Sequence, residues 1–356
     1  MSNKSNKMEQ TRKNMLKKSF LLLTVILLAF LSACGSNASK QSSNDTGSSG
    51  PSAQTQPSTT VTKISLDVPE AEVVAKYNGG EVTAGTFEKY LNFLQVLSPG
   101  NPGFSNPSAW SDILDSFIAV RVLADRGQQN GYRVKSDEIK QQYADITKNL
   151  EAYLGNADAA QKKIAELGLD ETSIQSFLET YALVDQYLAH AKSDDELKQM
   201  YEKEKGNYTL TTVRHILIMT SDKVTDEQAK AKAEELAKRA QNGEDFAKLA
   251  DEYSEDPGNT NPDGTKNGGL YENVPAGQWT SAFKEATLTL PLHKVSDPVK
   301  TDYGYHVIVV ENRQEQPFDA VKEQLTYEAA NEAWQTFYND ELPKIIQEKH
   351  LPKQAS

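Results

Sequence analysis

The chain has a single cysteine, Cys34, which excludes an internal disulfide and leaves packing to stabilise the fold. It also lacks a surplus of basic residues. The formal net charge is −12, although residues 1–33 carry Lys4, Lys7, Arg12, Lys13, Lys17 and Lys18 against Glu9 alone. Taking that excess of five positive charges from −12 leaves −17 for the remainder. Such a surface repels phosphate backbones, and no Lys/Arg cluster offsets the repulsion, so nucleic-acid binding is excluded. Long apolar runs are scarce too. The strongest, residues 20–31, falls short of the roughly 20 residues that a membrane-spanning helix needs.

What that run does have is an address. Arg12, Lys13, Lys17 and Lys18 precede it, and Leu31, Ser32, Ala33, Cys34 and Gly35 close it. The ending resembles a bacterial lipobox, in which the cysteine thiol takes a diacylglycerol and the peptide before it is removed. Small residues suit a peptidase cleft, and a thiol is the soft nucleophile that lipid transfer requires. The resemblance implies a lipoprotein signal peptide over 1–33, lipidation at Cys34, and anchoring to the extracytoplasmic face of the cell membrane by acyl chains alone. Residues 34–66, rich in Ser, Gly and Thr, read as a disordered tether.

From Val73 the pattern changes. Residues 73–83 read as two short strands around Asn78 and Gly79. Helical spacing follows in Phe87, Tyr90, Leu91, Leu94 and Leu97. After a Pro/Gly/Asn loop at 98–107 it resumes in Ile113, Leu114, Phe117, Ile118, Val120 and Leu123. Further helices fit 136–154, 156–167, 171–191 and 194–204, the last opened by a capping box from Ser193 to Glu196. Beyond residue 313, Phe318, Val321, Leu325, Ala329, Ala333, Trp334, Phe337 and Tyr338 predict one long amphipathic helix reaching about Ile345. That stripe needs a partner. It is expected to pack on the N-terminal helices, so that a helical domain at 67–206 is completed by residues 313–356, with a separate domain at 207–312 inserted between.

The insert reads β-α-α-β-β. Residues 209–218 form a strong strand, and Thr225 and Gln228 make a capping box before Ala229, Ala233, Leu236, Ala237 and Ala240. Phe246, Leu249, Ala250 and Tyr253 mark a second helix, and 294–299 and 305–310 read as paired strands. Segments at 213–217, 246–250, 253–258, 268–270, 277–278, 282–286, 295–299 and 302–308 resemble the signatures of parvulin-type peptidyl-prolyl isomerases, in the family's order. With the lipobox and the flanks, the chain resembles the PrsA-type foldase lipoproteins of Gram-positive bacteria, in which a parvulin module sits within a SurA-like chaperone domain. The resemblance implies an α+β fold: a small antiparallel sheet wrapped by helices, inserted into a mainly helical chaperone domain formed by both flanks. It also implies cis/trans isomerisation of X-Pro bonds in unfolded or folding exported proteins, with no cofactor and no metal.

Rotating an X-Pro bond faces a barrier of roughly 18–20 kcal/mol, because the twisted amide loses resonance. No covalent step is required. An apolar cup for the proline ring and a small polar network that favours the twisted state suffice. The resemblance places the cup at Leu270, Trp279 and Phe283, with Trp279 where relatives usually have Met. It places the network at His215, Asp256, Thr301 and His306. His215 shares a strand face with Val213 and Leu217, and His306 with Ile308 and Val310. In the family the two imidazoles hydrogen-bond each other and fix the centre of the sheet. Asp256 stands where relatives carry Cys or Asp, and a carboxylate near the susceptible carbonyl would weaken its conjugation. Blander readings stand beside these: core packing for the cup, satisfied core histidines, and a turn residue before Pro257 for Asp256. Residues 219–224 offer only Lys223 beside Asp222, so the anion site of phosphate-directed parvulins is not expected.

Two rivals remain: a holdase that keeps the parvulin fold only as scaffold, and a lipid-anchored solute-binding protein. The second predicts repeated βα units, which the sequence lacks. The expected partners are exported polypeptides and, through Cys34, the membrane; the sequence leaves the oligomeric state open, the helical domain being the part through which a homodimer could form.

Overall fold

The computed structural model describes residues 61–352. The expected signal peptide, Cys34 and most of the expected tether lie outside those residues. The chain divides into two compact units, one running to Lys192 and resuming at Thr326, the other Ser193–Leu325.

The first unit begins earlier than the composition suggests. Val61, Ile64 and Leu66 are buried in its core, so the tether expected over 34–66 is corrected at its C-terminal end. The main chain of this segment is gripped by one stripe of α1 (Ala84–Leu97). Glu88 accepts from the Leu66 amide at 2.6 Å, Asn92 accepts from and donates to Ile64 at 2.9 and 3.0 Å, and Gln95 donates to the Thr62 carbonyl at 3.0 Å. Helical spacing puts all three side chains on one face. β1 (Val73–Tyr77) and β2 (Gly80–Thr83) pair antiparallel, and the Thr83 hydroxyl caps α1. Then follow α2 (Trp110–Gln129), α3 (Ser136–Leu154), α4 (Ala157–Glu166) and α5 (Glu171–Ala189). Aromatic rings from α1, α2 and α5 knit the core. Tyr90 stacks on Phe117 at 4.3 Å, Phe93 on Phe177 at 4.9 Å, and the buried hydroxyls of Tyr90 and Tyr181 satisfy each other at 2.5 Å.

The second unit opens with α6 (Asp194–Glu204), started by the expected box of Ser193 and Glu196. β3 (Leu210–Met219) is central in a sheet of order β4-β3-β6-β5, with β4 (Leu270–Pro275), β5 (Val299–Thr301) and β6 (Gly304–Gln314). α7 (Asp226–Gln241) and α8 (Phe246–Tyr253) pack with Ile216, Ile218 and Val307. α9 (Ser281–Thr289) contributes Phe283 and Ala286 to a second cluster with Val213, Ile308 and Val310. Two expectations change here. β4 carries exposed Glu272 and Asn273 and ends on Pro275, so its sequence lacks strand alternation. The strand expected at 294–299 reduces to a bridge between Val295 and Val309 and to Val299, the first residue of β5. The insert is also wider than 207–312. Tyr201 of α6 stacks on Tyr208 at 6.2 Å, meets Phe318 edge-on at 6.0 Å, and bonds the Gln316 carbonyl at 2.7 Å.

The chain leaves through α10 (Phe318–Thr336), and the division between units falls inside this helix. Ala330, Trp334, Phe337 and Leu342 join the core of the first unit. The single helix expected to about Ile345 is interrupted. Phe337–Glu341 is a π turn, followed by the short α11 (Leu342–Ile345) containing Pro343. Proline has no amide proton and clashes with the carbonyl four residues back, here that of Asn339, so the regular ladder cannot run through. β7 (Ile346–Lys349) then pairs antiparallel with β1, giving the order β2-β1-β7. Among the described residues, no helix is long and apolar enough to cross a membrane.

Candidate functional site

Strand register brings the two histidines together. Val213, His215 and Leu217 point to one face of β3, and β6 presents His306, Ile308 and Val310 to the same face. His215 and His306 are 4% and 5% exposed, and their Nδ1 atoms lie 3.0 Å apart. Buried polar atoms need partners, and each ring has one beyond. His215 Nε2 meets Asp256 Oδ2 at 2.5 Å, and His306 Nε2 meets Thr301 Oγ1 at 2.8 Å. The Tyr303 amide donates to Thr301 Oγ1 at 3.2 Å. One direction of donation satisfies every atom with neutral rings: Tyr303 N–H to Thr301, Thr301 O–H to His306 Nε2, His306 Nδ1–H to His215 Nδ1, and His215 Nε2–H to Asp256.

Asp256 sits at the end of this chain, just after α8. Its Oδ1 accepts from the Gly258 amide at 2.9 Å, and its Oδ2 also accepts from the Tyr271 hydroxyl at 2.8 Å. Burial opposes its ionisation, but the donors from His215, Gly258 and Tyr271 outweigh burial and hold the carboxyl well below its usual range. Behind it, Gly269 at φ +69° passes so close to the His215 carbonyl that a Cβ would overlap the oxygen. The His215 amide bonds the Gly269 carbonyl at 3.0 Å, which ties β3 to the strand entering the site.

The apolar side is aromatic. Phe283, 3% exposed, stands edge-on to both imidazoles, at 5.2 Å from His215 and 5.1 Å from His306. Trp279 packs on Phe283 at 4.8 Å and meets Tyr271 edge-on at 5.4 Å. The Trp279 indole N–H donates to buried Thr211 Oγ1 at 3.0 Å, which fixes the ring's orientation. Three aromatic walls and a carboxylate-ended chain of polar atoms therefore share one face of the sheet.

Residues 196–314 match the PPIC-type PPIASE domain. The chain is 29% identical over 298 residues to the foldase protein PrsA of Caldanaerobacter subterraneus subsp. tengcongensis, covering 78% of this chain and 83% of that protein. It is 34% identical over 218 residues to foldase protein PrsA 3 of Bacillus cereus, covering 53% of this chain and 69% of that protein. The chain belongs to the PrsA foldase family. A solved peptidylprolyl isomerase (PrsA) from Bacillus cereus aligns at 22% identity and a TM-score of 0.42, over 78% of this chain and 92% of that one. This PrsA-family chain is thus a peptidyl-prolyl cis–trans isomerase, and its partners are substrate proteins.

Of the residues singled out from the sequence, the structure gathers His215, Asp256, Thr301, His306, Trp279 and Phe283. It does not bring Leu270 to them. Leu270 is the cross-strand partner of Arg214, on the opposite face from His215, whereas Tyr271 opposes Val213 on the site face. A bulge in the β3–β4 pairing between Thr211 and Val213 precedes this register, and a shift of one residue exchanges faces. Tyr271 and Thr211 are the site residues that sequence reasoning missed. Strand alternation from Gly269 would have raised Tyr271, had β4 been recognised. Among the described residues, no group of three or more His, Cys, Asp or Glu could hold a metal ion.

Burial, reinforced by His215, pushes His306 down to about 4 from 6.5. Between those values the unfolded chain takes up a proton that the folded unit refuses. The stabilisation is complete above pH 6.5 and is lost as pH falls toward 4, by at most about 3 kcal/mol. Urea midpoints of the Ser193–Leu325 unit at pH 7.5 and 4.5 are expected to differ in that sense, and His306→Gln is expected to shrink the difference.

Proposed function

We propose that this chain is an extracytoplasmic foldase, anchored to the cell membrane through lipid on Cys34, that isomerises X-Pro bonds in exported proteins as they fold. The observation that carries the catalytic part is the meeting of the aromatic walls with the Asp256–His215–His306–Thr301 chain on one sheet face. In this reading the proline ring rests among Tyr271, Trp279 and Phe283. The Asp256 charge acts on the preceding carbonyl as the amide twists, favouring the state without resonance over the planar one. The histidines and Thr301 hold Asp256 and the sheet in place and do not transfer protons. Rotation about the amide C–N bond breaks no σ bond and needs no proton transfer.

The test is isomerisation of Ala-Pro and Leu-Pro tetrapeptides by the chain. Catalysis that falls sharply in Asp256→Ala supports the reading. A chain that suppresses aggregation of an unfolded protein yet catalyses no X-Pro peptide would hand the function to a holdase. The anchor has its own test. Cys34→Ser is expected to leave an uncleaved or mislocalised precursor and to abolish labelling with fatty acid, and persistent labelling of that variant would remove Cys34 from the proposal.

A further inference from the structure

We propose that Tyr271 is a positioning residue for the isomerisation: its hydroxyl orients the Asp256 carboxylate while its ring forms a wall of the proline cup. The inference rests on the reading of this face as the isomerase site and adds to it the residue that couples the apolar half to the polar half.

Asp256 Oδ2 takes two donors, His215 Nε2–H at 2.5 Å and Tyr271 O–H at 2.8 Å. Among the described residues, Oδ1 takes only the Gly258 amide. A carboxylate oxygen offers two lone-pair sites, so Oδ2 is saturated and Oδ1 retains one to turn toward a substrate. Without the Tyr271 hydroxyl, both oxygens would carry one donor each, and nothing on the cup side would hold the carboxylate's rotation. The loop is shaped to admit this contact, because a Cβ on Gly258 would overlap the Tyr271 hydroxyl. The hydroxyl's own proton is committed to Asp256. Burial, reinforced by the adjacent Asp256 charge, raises the phenol and keeps it protonated. The same ring meets His215 edge-on at 5.3 Å and Trp279 at 5.4 Å, so its position is set from three sides.

A mere cup wall would need only the ring, and Tyr271→Phe keeps the ring. If the hydroxyl positions Asp256, this variant is expected to leave KM within about twofold and to lower kcat about tenfold, the effect of one hydrogen bond to a charged group. Removing a donor from the ionised carboxylate must raise its titration point. The 13C carboxyl resonance of Asp256 should therefore titrate at higher pH in Tyr271→Phe than in the parent. In an Asp256→Ala background, Tyr271→Phe should change kcat less than about twofold, since the partner it acts through is gone. Gly258→Ala, which displaces the hydroxyl but keeps the tyrosine, should reproduce the Tyr271→Phe effects. Unchanged kcat with an unshifted Asp256 titration would overturn the proposal, as would equal losses in the two backgrounds. The carboxyl titration is read without turnover. A chain inactive on peptides would therefore fail the site reading and leave Tyr271 no isomerisation to serve, while the titration still decides whether its hydroxyl holds the Asp256 carboxylate.

Discussion

Asp256→Ala is expected to reduce turnover on X-Pro peptides by the largest factor of any single site substitution, and to leave the isomerase unit folded. Its side chain is 15% exposed, against 5% for that of His215, so water can replace the lost acceptor at the end of the polar chain. His215→Ala and His306→Ala interrupt the middle. Each strands a buried partner atom and is expected to lose about 1–3 kcal/mol of stability along with activity. Turnover and thermal melts on the same three variants separate the roles. Equal stability losses at Asp256 and at the histidines would contradict a carboxylate acting chiefly through its charge.

Removing everything after Leu325 is expected to unfold the first unit and spare the second. The deletion takes Trp334, Phe337 and Leu342 from the core, together with β7 from the sheet. Truncating a buried Phe or Trp costs about 3–5 kcal/mol each. Two such losses approach or exceed the whole stability of a typical domain, about 5–15 kcal/mol. Amide exchange is the discriminating measurement. Protection in α1 and α5 should vanish, while β3 and β6 keep theirs. Undiminished protection in α1 would show that the C-terminal residues are dispensable to that core.

Local signals in the chain were legible where they sufficed by themselves. The boxes at Ser193 and Thr225 mark true helix starts, and Asn78 and Gly79 mark the turn between β1 and β2. The stripe from Ala329 to Phe337 correctly demanded a buried face. Features fixed by a distant partner were not legible. Residues 346–349 are Ile, Gln, Glu and Lys, and only the pairing with β1 makes them a strand. Val61, Ile64 and Leu66 sit in a Ser/Thr-rich stretch, and their burial follows from the polar stripe on α1 that receives their backbone. The site divides the same way. Motifs pointed to the histidines and Asp256, which the structure brings together, but the choice between Leu270 and Tyr271 depends on a register that no local pattern specifies.

The pairing of β7 with β1 also sets an order of events. Ala75 must wait for Lys349 before that edge of the sheet can close. On a chain appearing from its amino end, all of Ser193–Leu325 is available before the last strand exists. Contacts so distant in sequence form slowly when an open loop must close. An insert that has already folded shortens the effective loop and lowers its entropic cost. The isomerase unit is therefore the part of the molecule that can mature first, and it can act on X-Pro bonds while the helical unit still lacks its final strand.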